Sequence, residues 1–343
     1  MRIGIATSGL WRLRDAVERL AGGTAYRLPV YGSAVDAIAG WGHKPTADRA
    51  RVIARSKGIP YIAFEDGFLR SIHPGNGERP LSMVIDRTGI YYDCRQPSDL
   101  EALIRKRASS PLPVDRARKA MDLLRVSRLS KYNNATVQDV STLRLKSTQR
   151  EDRVLVVDQT VGDASIVGAR ASAQTFSRML DAAVRENPGA EILVRVHPEA
   201  MTGRKLGHFS TNELHNISKY SAPVADALAG GLLRLTPEPI NPWALLEACS
   251  ALYCVSSQLG FEGVMAGCTV HSFGESFYNG WGLTRDRTPK PTARRGRASL
   301  EAVFAATYFD YVHYFDPANN TPKDFEWSTE ALVRKRDWAL STR

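Results

Sequence analysis

From Arg153 onward the chain repeats one unit: a four- or five-residue apolar run, a polar turn, then a stretch of helical periodicity. The apolar runs are 154–157, 192–196, 232–235, 252–255 and 269–273, with helical stretches at 165–186, 242–249 and 258–267. Short apolar runs rich in β-branched residues and bounded by turn signals read as strands buried on both faces. Strands that alternate with helices imply parallel sheets joined by right-handed crossovers. The fold class expected for this half is therefore α/β.

The same unit opens the chain, with a strand at 2–6 and a turn at Thr7-Ser8-Gly9. It recurs at 44–64, where Ala47, Ala50, Ile53 and Ala54 repeat at helical spacing, Gly58 caps the helix and 59–64 reads as a buried strand. Ser98 with Glu101 makes a capping box for a helix over 99–107. Residues 112–150 are charged and only weakly periodic, which suits helices leading into an interdomain connection. Two Rossmann-like domains follow, 1–150 and 151–343, the second carrying the C-terminal helices, with a cleft between them. A length of 343 residues suits such a pair.

Hydrophobic residues at 43% and charged residues at 24% fit a soluble globular protein and disfavour disorder or a disulfide scaffold. No apolar run nears the ~20 residues of a membrane span, and the opening MRIGIATSGLWRL lacks a signal peptide's core, so the expected location is cytoplasmic. Forty-six Lys+Arg against 36 Asp+Glu leave a formal charge of +10, which calls for an anionic partner. The basic residues lie in short clusters without interleaved aromatics, favouring an anionic small substrate or membrane surface over nucleic acid. Cys94, Cys249, Cys254 and Cys268 contain no C-x-x-C pair, so they read as reduced thiols and no metal site is expected.

Most unusual polar motifs fall just after a strand, where open parallel sheets bind ligands. Glu65 and Asp66 follow the strand 59–64 and can serve as general acid/base or electrostatic stabiliser, with Arg70 placed to hold an anion; composition alone favours a plain turn at Asp66-Gly67 with a solvated Glu65. Between 158 and 165, Asp163 can attack an anomeric carbon or stabilise positive charge on it, while Asp163 or Ser165 can simply cap the next helix. His197, held extended by Pro198, can donate to a phosphate or leaving group. Ser256 and Ser257 at a helix start can hold phosphate, cap the helix, or do both. The loop from Phe277 to Asp286, with Trp281 between glycines, either stacks on a sugar or anchors a domain interface. Neither a P-loop nor a G-x-G-x-x-G fingerprint occurs.

Together these stretches resemble the bacterial capsule polysaccharide biosynthesis proteins of the KpsC type, the β-Kdo glycosyltransferases. The motifs are GWGHKPTADRAR at 40–51, EDGFLRS at 65–71, LSMVIDRTGIYYD at 81–93, VDQTVGDASI at 157–166, RVHPE at 195–199, NPWALLE at 241–247, SSQLGFEGVMAG at 256–267, FYNGWGLTRD at 277–286 and RRGRASLEAVFAATY at 294–308. Proteins of this type commonly carry two modules; this chain has length for one, and its Asp158-Gln159 form of the second motif is similar to the N-terminal module.

The resemblance implies a GT-B-like fold and transfer of Kdo from CMP-β-Kdo, with retention, to an anionic Kdo-glycolipid at the inner-membrane surface. The first domain would serve the acceptor and the second the donor. Asp163 would be the nucleophile, with Asp158 in the same motif as its rival, Glu65 the acid/base, and His197, Ser256 and Ser257 the phosphate ligands. Arg70 would hold the Kdo carboxylate and Glu238 the cytidine ribose. Asp66, Gln159, Ser165, Pro198, Glu199 and Gln258 complete the expected substrate- and donor-binding set. No cofactor is expected; partners would be CMP-Kdo, the glycolipid, the membrane surface and capsule assembly proteins, not nucleic acid. Two alternatives stay open: another nucleotide-sugar donor, or a non-catalytic basic module that binds glycolipid or nucleic acid.

Overall fold

The strand Arg153–Val157 is buried at every residue. Leu155 and Val157 face one apolar layer while Val154 and Val156 face the other, the period-2 alternation of a central strand. The computed structural model describes residues 1–28, 34–73, 75, 78–110, 114–289 and 292–342. Positions 112 and 113 of the expected connection lie outside the described residues.

The first sheet has seven strands: β1 (Arg2–Ile5), β2 (Thr24–Arg27), β3 (Ala37–Trp41), β4 (Tyr61–Asp66), β5 (Ser82–Asp86), β12 (Val312–Phe315) and β13 (Pro322–Lys323). The second has six: β6 (Arg153–Val157), β7 (Glu191–Arg195), β8 (Leu233–Thr236), β9 (Ala251–Cys254), β10 (Thr269–Ser272) and β11 (Arg285–Asp286). The second sheet is wholly parallel, in the order β11-β10-β9-β6-β7-β8. That is the doubly wound order, with its reversal between β6 and β9.

The first sheet runs β13-β12-β5-β4-β3-β1-β2, parallel from β2 to β4 and antiparallel at β4–β5, β5–β12 and β12–β13. Two expectations are corrected here. The sheet is mixed, because β5 returns directly beside β4 without a helical crossover. The C-terminal segment, assigned with 151–343, crosses back: β12 pairs with β5 through Val312–Val84 and Tyr314–Ser82. The second domain's sheet begins at Arg153, next to the expected boundary.

The helix expected over 165–186 is two, Ala164–Gly168 and Ala173–Glu186. Arg170 turns left-handed between them at φ 56°, and a capping box of Ser172 with Thr175 starts the second. The break has a packing reason. A Cβ on Gly168 would lie 2.4 Å from the Tyr92 carbonyl oxygen, and the Cys94 N–H donates to the Gly168 carbonyl at 3.1 Å. The short helix is thus held against the first domain. One apolar core runs beneath both sheets, from Leu155, Trp243 and Phe261 through Phe277 to Phe68 and Ile90. The two domains meet on it and leave a cleft above. All four cysteines are buried and free, and among the described residues no helix is long and apolar enough to cross a membrane.

Candidate active site

Crossovers leave β6 and β9 in opposite directions, so a crevice opens beyond their carboxyl ends. The segments leaving these strands, 158–165 and 256–258, line one cavity of about 500 Å³. Glu65 and Asp66 from the end of β4 close it from the first domain, and His197 from the end of β7 flanks it. Folding therefore gathers residues from sequence positions far apart around a single volume.

Asp163 follows Gly162, whose φ of 81° makes the turn, and caps the helix Ala164–Gly168 by accepting the Ser165 N–H at 2.9 Å through Oδ1. Its side chain is half-buried on the cavity wall. Asp158 differs. Its Oδ1 accepts the backbone N–H groups of Gln159 and His208 at 2.9 and 2.8 Å, and its Oδ2 is sealed without a partner. A Cβ on Gly207 would sit 2.1 Å from that oxygen, so the backbone presses on it directly. Burial pushes the Asp158 carboxyl up to about 6. Asp158 ties the 207–208 loop to the sheet; Asp163 faces the cavity.

His197 caps the four-residue helix Pro198–Met201, and its Nδ1 accepts the Glu199 N–H at 3.2 Å. Burial lowers its pKa to about 4. The ring is therefore neutral, with its proton on Nε2. Glu199 itself pairs with Lys205 at 2.8 Å. Ser257 caps the helix Gln258–Met265 through the Leu259 N–H. Gln159 accepts the Ser256 N–H at 2.9 Å and donates to the hydroxyls of Ser256 and Ser165, which lie 3.0 Å apart. It thus staples the β6 and β9 loops across the reversal point. Gln258 turns its amide N–H to the Phe68 carbonyl at 3.1 Å and to Glu262, bridging the domains.

On the first-domain wall, Lys44 holds Glu65 Oε1 at 2.8 Å, and the buried Glu65 Oε2 has no partner among the described residues. Asp66 Oδ2 pairs with Arg70 Nε at 2.8 Å, leaving Oδ1 unpartnered. Each carboxylate so keeps one buried oxygen without a donor. Such acceptors cost free energy until a ligand hydroxyl satisfies them.

Two expected site residues are corrected. Arg70 does not line the cavity: it is buried behind the wall, bound to Asp66, the Ser71 hydroxyl and the Glu78 carbonyl. Glu238 lies off the cavity too, because β8 is an edge strand and Pro239 docks its segment on the Thr136 and Val137 N–H groups. Trp281 is buried with its indole N–H on the Phe277 carbonyl, so it anchors its loop and offers no face to a sugar.

Among the cavity residues that escaped the motif reading are Lys44, Tyr91, Lys131 and Arg195. Lys44, Tyr91 and Arg195 stand inside quoted motifs, yet only their contacts reveal a role. Lys131 lies in the featureless connection, with no local signal at all. No three of His, Cys, Asp and Glu converge as a metal site among the described residues.

Comparison with known proteins places this geometry. Residues 36–314 match the family model described as capsule polysaccharide biosynthesis protein. The capsule polysaccharide modification protein LipA of Neisseria meningitidis is 39% identical over 297 residues, covering 83% of this chain and 39% of LipA. The lipopolysaccharide-processing protein LpsZ of Rhizobium meliloti is 37% identical over 84% of this chain and 62% of its own length. The chain thus spans less than two thirds of these relatives. The β-Kdo 2,4 transferase structure of Thermosulfurimonas dismutans KpsC superposes with a TM-score of 0.84 at 38% identity, over 97% of this chain and 98% of that one. Its β-Kdo 2,7 transferase shares the fold, with a TM-score of 0.70 at 24% identity over 98% and 99% of the chains. By sequence, by its two-domain GT-B-like fold and by the extent of the match, this chain belongs to the capsule polysaccharide biosynthesis protein family.

Proposed function

We propose that this chain is a retaining glycosyltransferase that moves Kdo from CMP-β-Kdo to a Kdo-bearing glycolipid. The observation that carries the reading is the placement of Asp163. A half-exposed carboxylate stands at the reversal point of the donor-side sheet, and the first-domain carboxylates Glu65 and Asp66 line the same cavity. The 38% identity with a β-Kdo 2,4 transferase supports Kdo as the sugar transferred and a 2,4 linkage.

In the first step an oxygen of Asp163 attacks the anomeric carbon, the bond from that carbon to the phosphate oxygen breaks, and CMP leaves with the electron pair. The Nε2–H of neutral His197 and the start of the helix Gln258–Met265 stabilise the charge growing on the phosphate. In the second step Glu65 takes the proton of the acceptor hydroxyl. The acceptor oxygen then displaces Asp163 from the face that CMP vacated. Two inversions give net retention. The anionic acceptor and an anionic membrane surface suit the +10 charge.

The test is incubation with CMP-Kdo generated in situ and a synthetic β-Kdo acceptor, followed by intact mass. The expected result is a Kdo-sized adduct on the peptide containing Asp163 and a β-linked product. Stabilisation by UDP but not by CMP, with no product, would overturn the donor assignment.

A further inference from the structure

Four cations line the cavity: Lys44, Lys131, Arg195 and Lys205. Lys44 is held by Glu65 and Lys205 by Glu199, each at 2.8 Å. Lys131 and Arg195 have no hydrogen bond from their side chains and no carboxylate within ion-pair distance among the described residues. Arg195 Nη1 is sealed from solvent without an acceptor. A half-buried guanidinium whose Nη1 is sealed in this way is costly until a ligand completes it.

The two free cations are fixed on opposite walls. Lys131 belongs to the first domain, because its carbonyl accepts the Arg70 N–H, and Tyr132 bridges Ser71. The Asn133 amide clamps the same turn to the Ser71 carbonyl at 3.0 Å. Burial opposes the ammonium charge of Lys131, but the nearby tyrosines and the carboxylates of Asp66 and Glu65 outweigh it and hold the pKa above its ordinary value. With Lys44 on Glu65 and Arg70 on Asp66, Lys131 is the positive charge left over on that wall. Arg195 belongs to the second domain, at the end of β7, beside the strand whose loop carries Asp163. Burial brings it down to about 10 against the pull of Glu262, so it stays charged at neutral pH.

We propose that these are two carboxylate subsites, one per substrate: Arg195 binds the carboxylate of the donor sugar acid, and Lys131 binds that of the acceptor sugar acid. This rests on the transfer reading above and deepens it. Arg70, which the motif pattern offered for this task, is already consumed by Asp66. A reaction that joins two sugar acids brings two carboxylates into one cavity besides the phosphate. Each then meets its own cation, and the like charges are kept apart by the width of the cleft. The pairing also selects acidic over neutral sugars on both sides, since a neutral sugar would leave a half-buried cation without its counter-charge.

The experiment separates the two half-reactions in Arg195→Met and Lys131→Met, with Arg195→Lys as a charge-keeping control for folding. CMP binding is measured by calorimetry, adduct formation by intact mass without acceptor, and acceptor KM by full turnover. Arg195→Met should slow adduct formation by about 100-fold, the scale of a lost charged hydrogen bond, with CMP affinity little changed and partial rescue in Arg195→Lys. Lys131→Met should form the adduct at the wild-type rate but raise acceptor KM by about 10-fold or more. Wild type should lose the same factor on an acceptor methyl ester, and Lys131→Met should not discriminate acid from ester. Equal losses of adduct in both variants, or a Lys131→Met chain that still prefers the acid, would overturn the pairing. A wild-type chain that neither binds CMP nor forms adduct would instead overturn the transfer reading and the pairing with it.

Discussion

Arg70 Nε lies 2.8 Å from Asp66 Oδ2, one turn back along the same loop, and both groups are largely shielded from solvent. The EDGFLRS motif is thus closed on itself: its arginine orients the carboxylate and does not reach the cavity. Arg70→Met should lower stability by about 3 kcal/mol, because an uncompensated carboxylate is left in the wall. Pairing it with Asp66→Asn should recover part of that loss, as read by denaturant unfolding of the single and double variants. A substrate-binding Arg70 would instead show intact folding and a raised KM.

On the proposed mechanism the two oxygens of Asp163 have separable duties, one as helix cap and one as nucleophile. Asn keeps an oxygen for the Ser165 N–H, whereas Ala loses the cap, worth about 1 kcal/mol. Asp163→Asn should therefore fold like wild type while losing turnover by about 10³-fold or more. Asp158→Ala should show the opposite balance, with a clear loss of stability as the His208 N–H is orphaned. Thermal unfolding alongside turnover distinguishes the pair.

His197 imposes a pH dependence on folding. Its pKa falls from the ordinary 6.5 to about 4 on folding, so the folded state binds fewer protons than the unfolded state between those limits. Stability from this group is complete above pH 6.5 and declines as the pH drops toward 4, by up to about 3 kcal/mol. His197→Asn should flatten that part of the stability–pH curve, measured by urea titration across the window.

Gly168 permits a close approach of the helix that Asp163 caps to the first domain. A Cβ there would lie 2.4 Å from the Tyr92 carbonyl oxygen, and backbone cannot swing aside as a long side chain can. Gly168→Ala should cost about 1–3 kcal/mol and displace the Asp163 loop, lowering kcat more than it lowers CMP affinity. Calorimetry with CMP beside steady-state kinetics checks it.

Much of the second domain was legible in its residues. Each apolar run there is a parallel strand, because burial on both faces demands unbroken hydrophobic sequence. The first domain was harder to read. β3 carries Ala37, Ala39 and Gly40 in place of β-branched residues, and Gly40 is needed because the Tyr61 hydroxyl would lie 2.4 Å from a Cβ. β12 and β13 are far from their partners in the chain, and their pairing with β5 is a long-range contact without a local signature.

The sequence by itself determined the α/β class, and it offered the strand ends, with Asp163, Glu65 and His197, as the candidate site. Those follow from local periodicity and turn chemistry, which neighbouring residues encode. The tertiary structure alone decided which carboxylates are tied down, that Arg70 is spent on Asp66, that the C-terminal strands complete the first sheet, and that Lys131 and Arg195 have no carboxylate within ion-pair distance among the described residues. Charge pairing depends on distances of a few ångströms between segments far apart in the chain, and no local pattern records them.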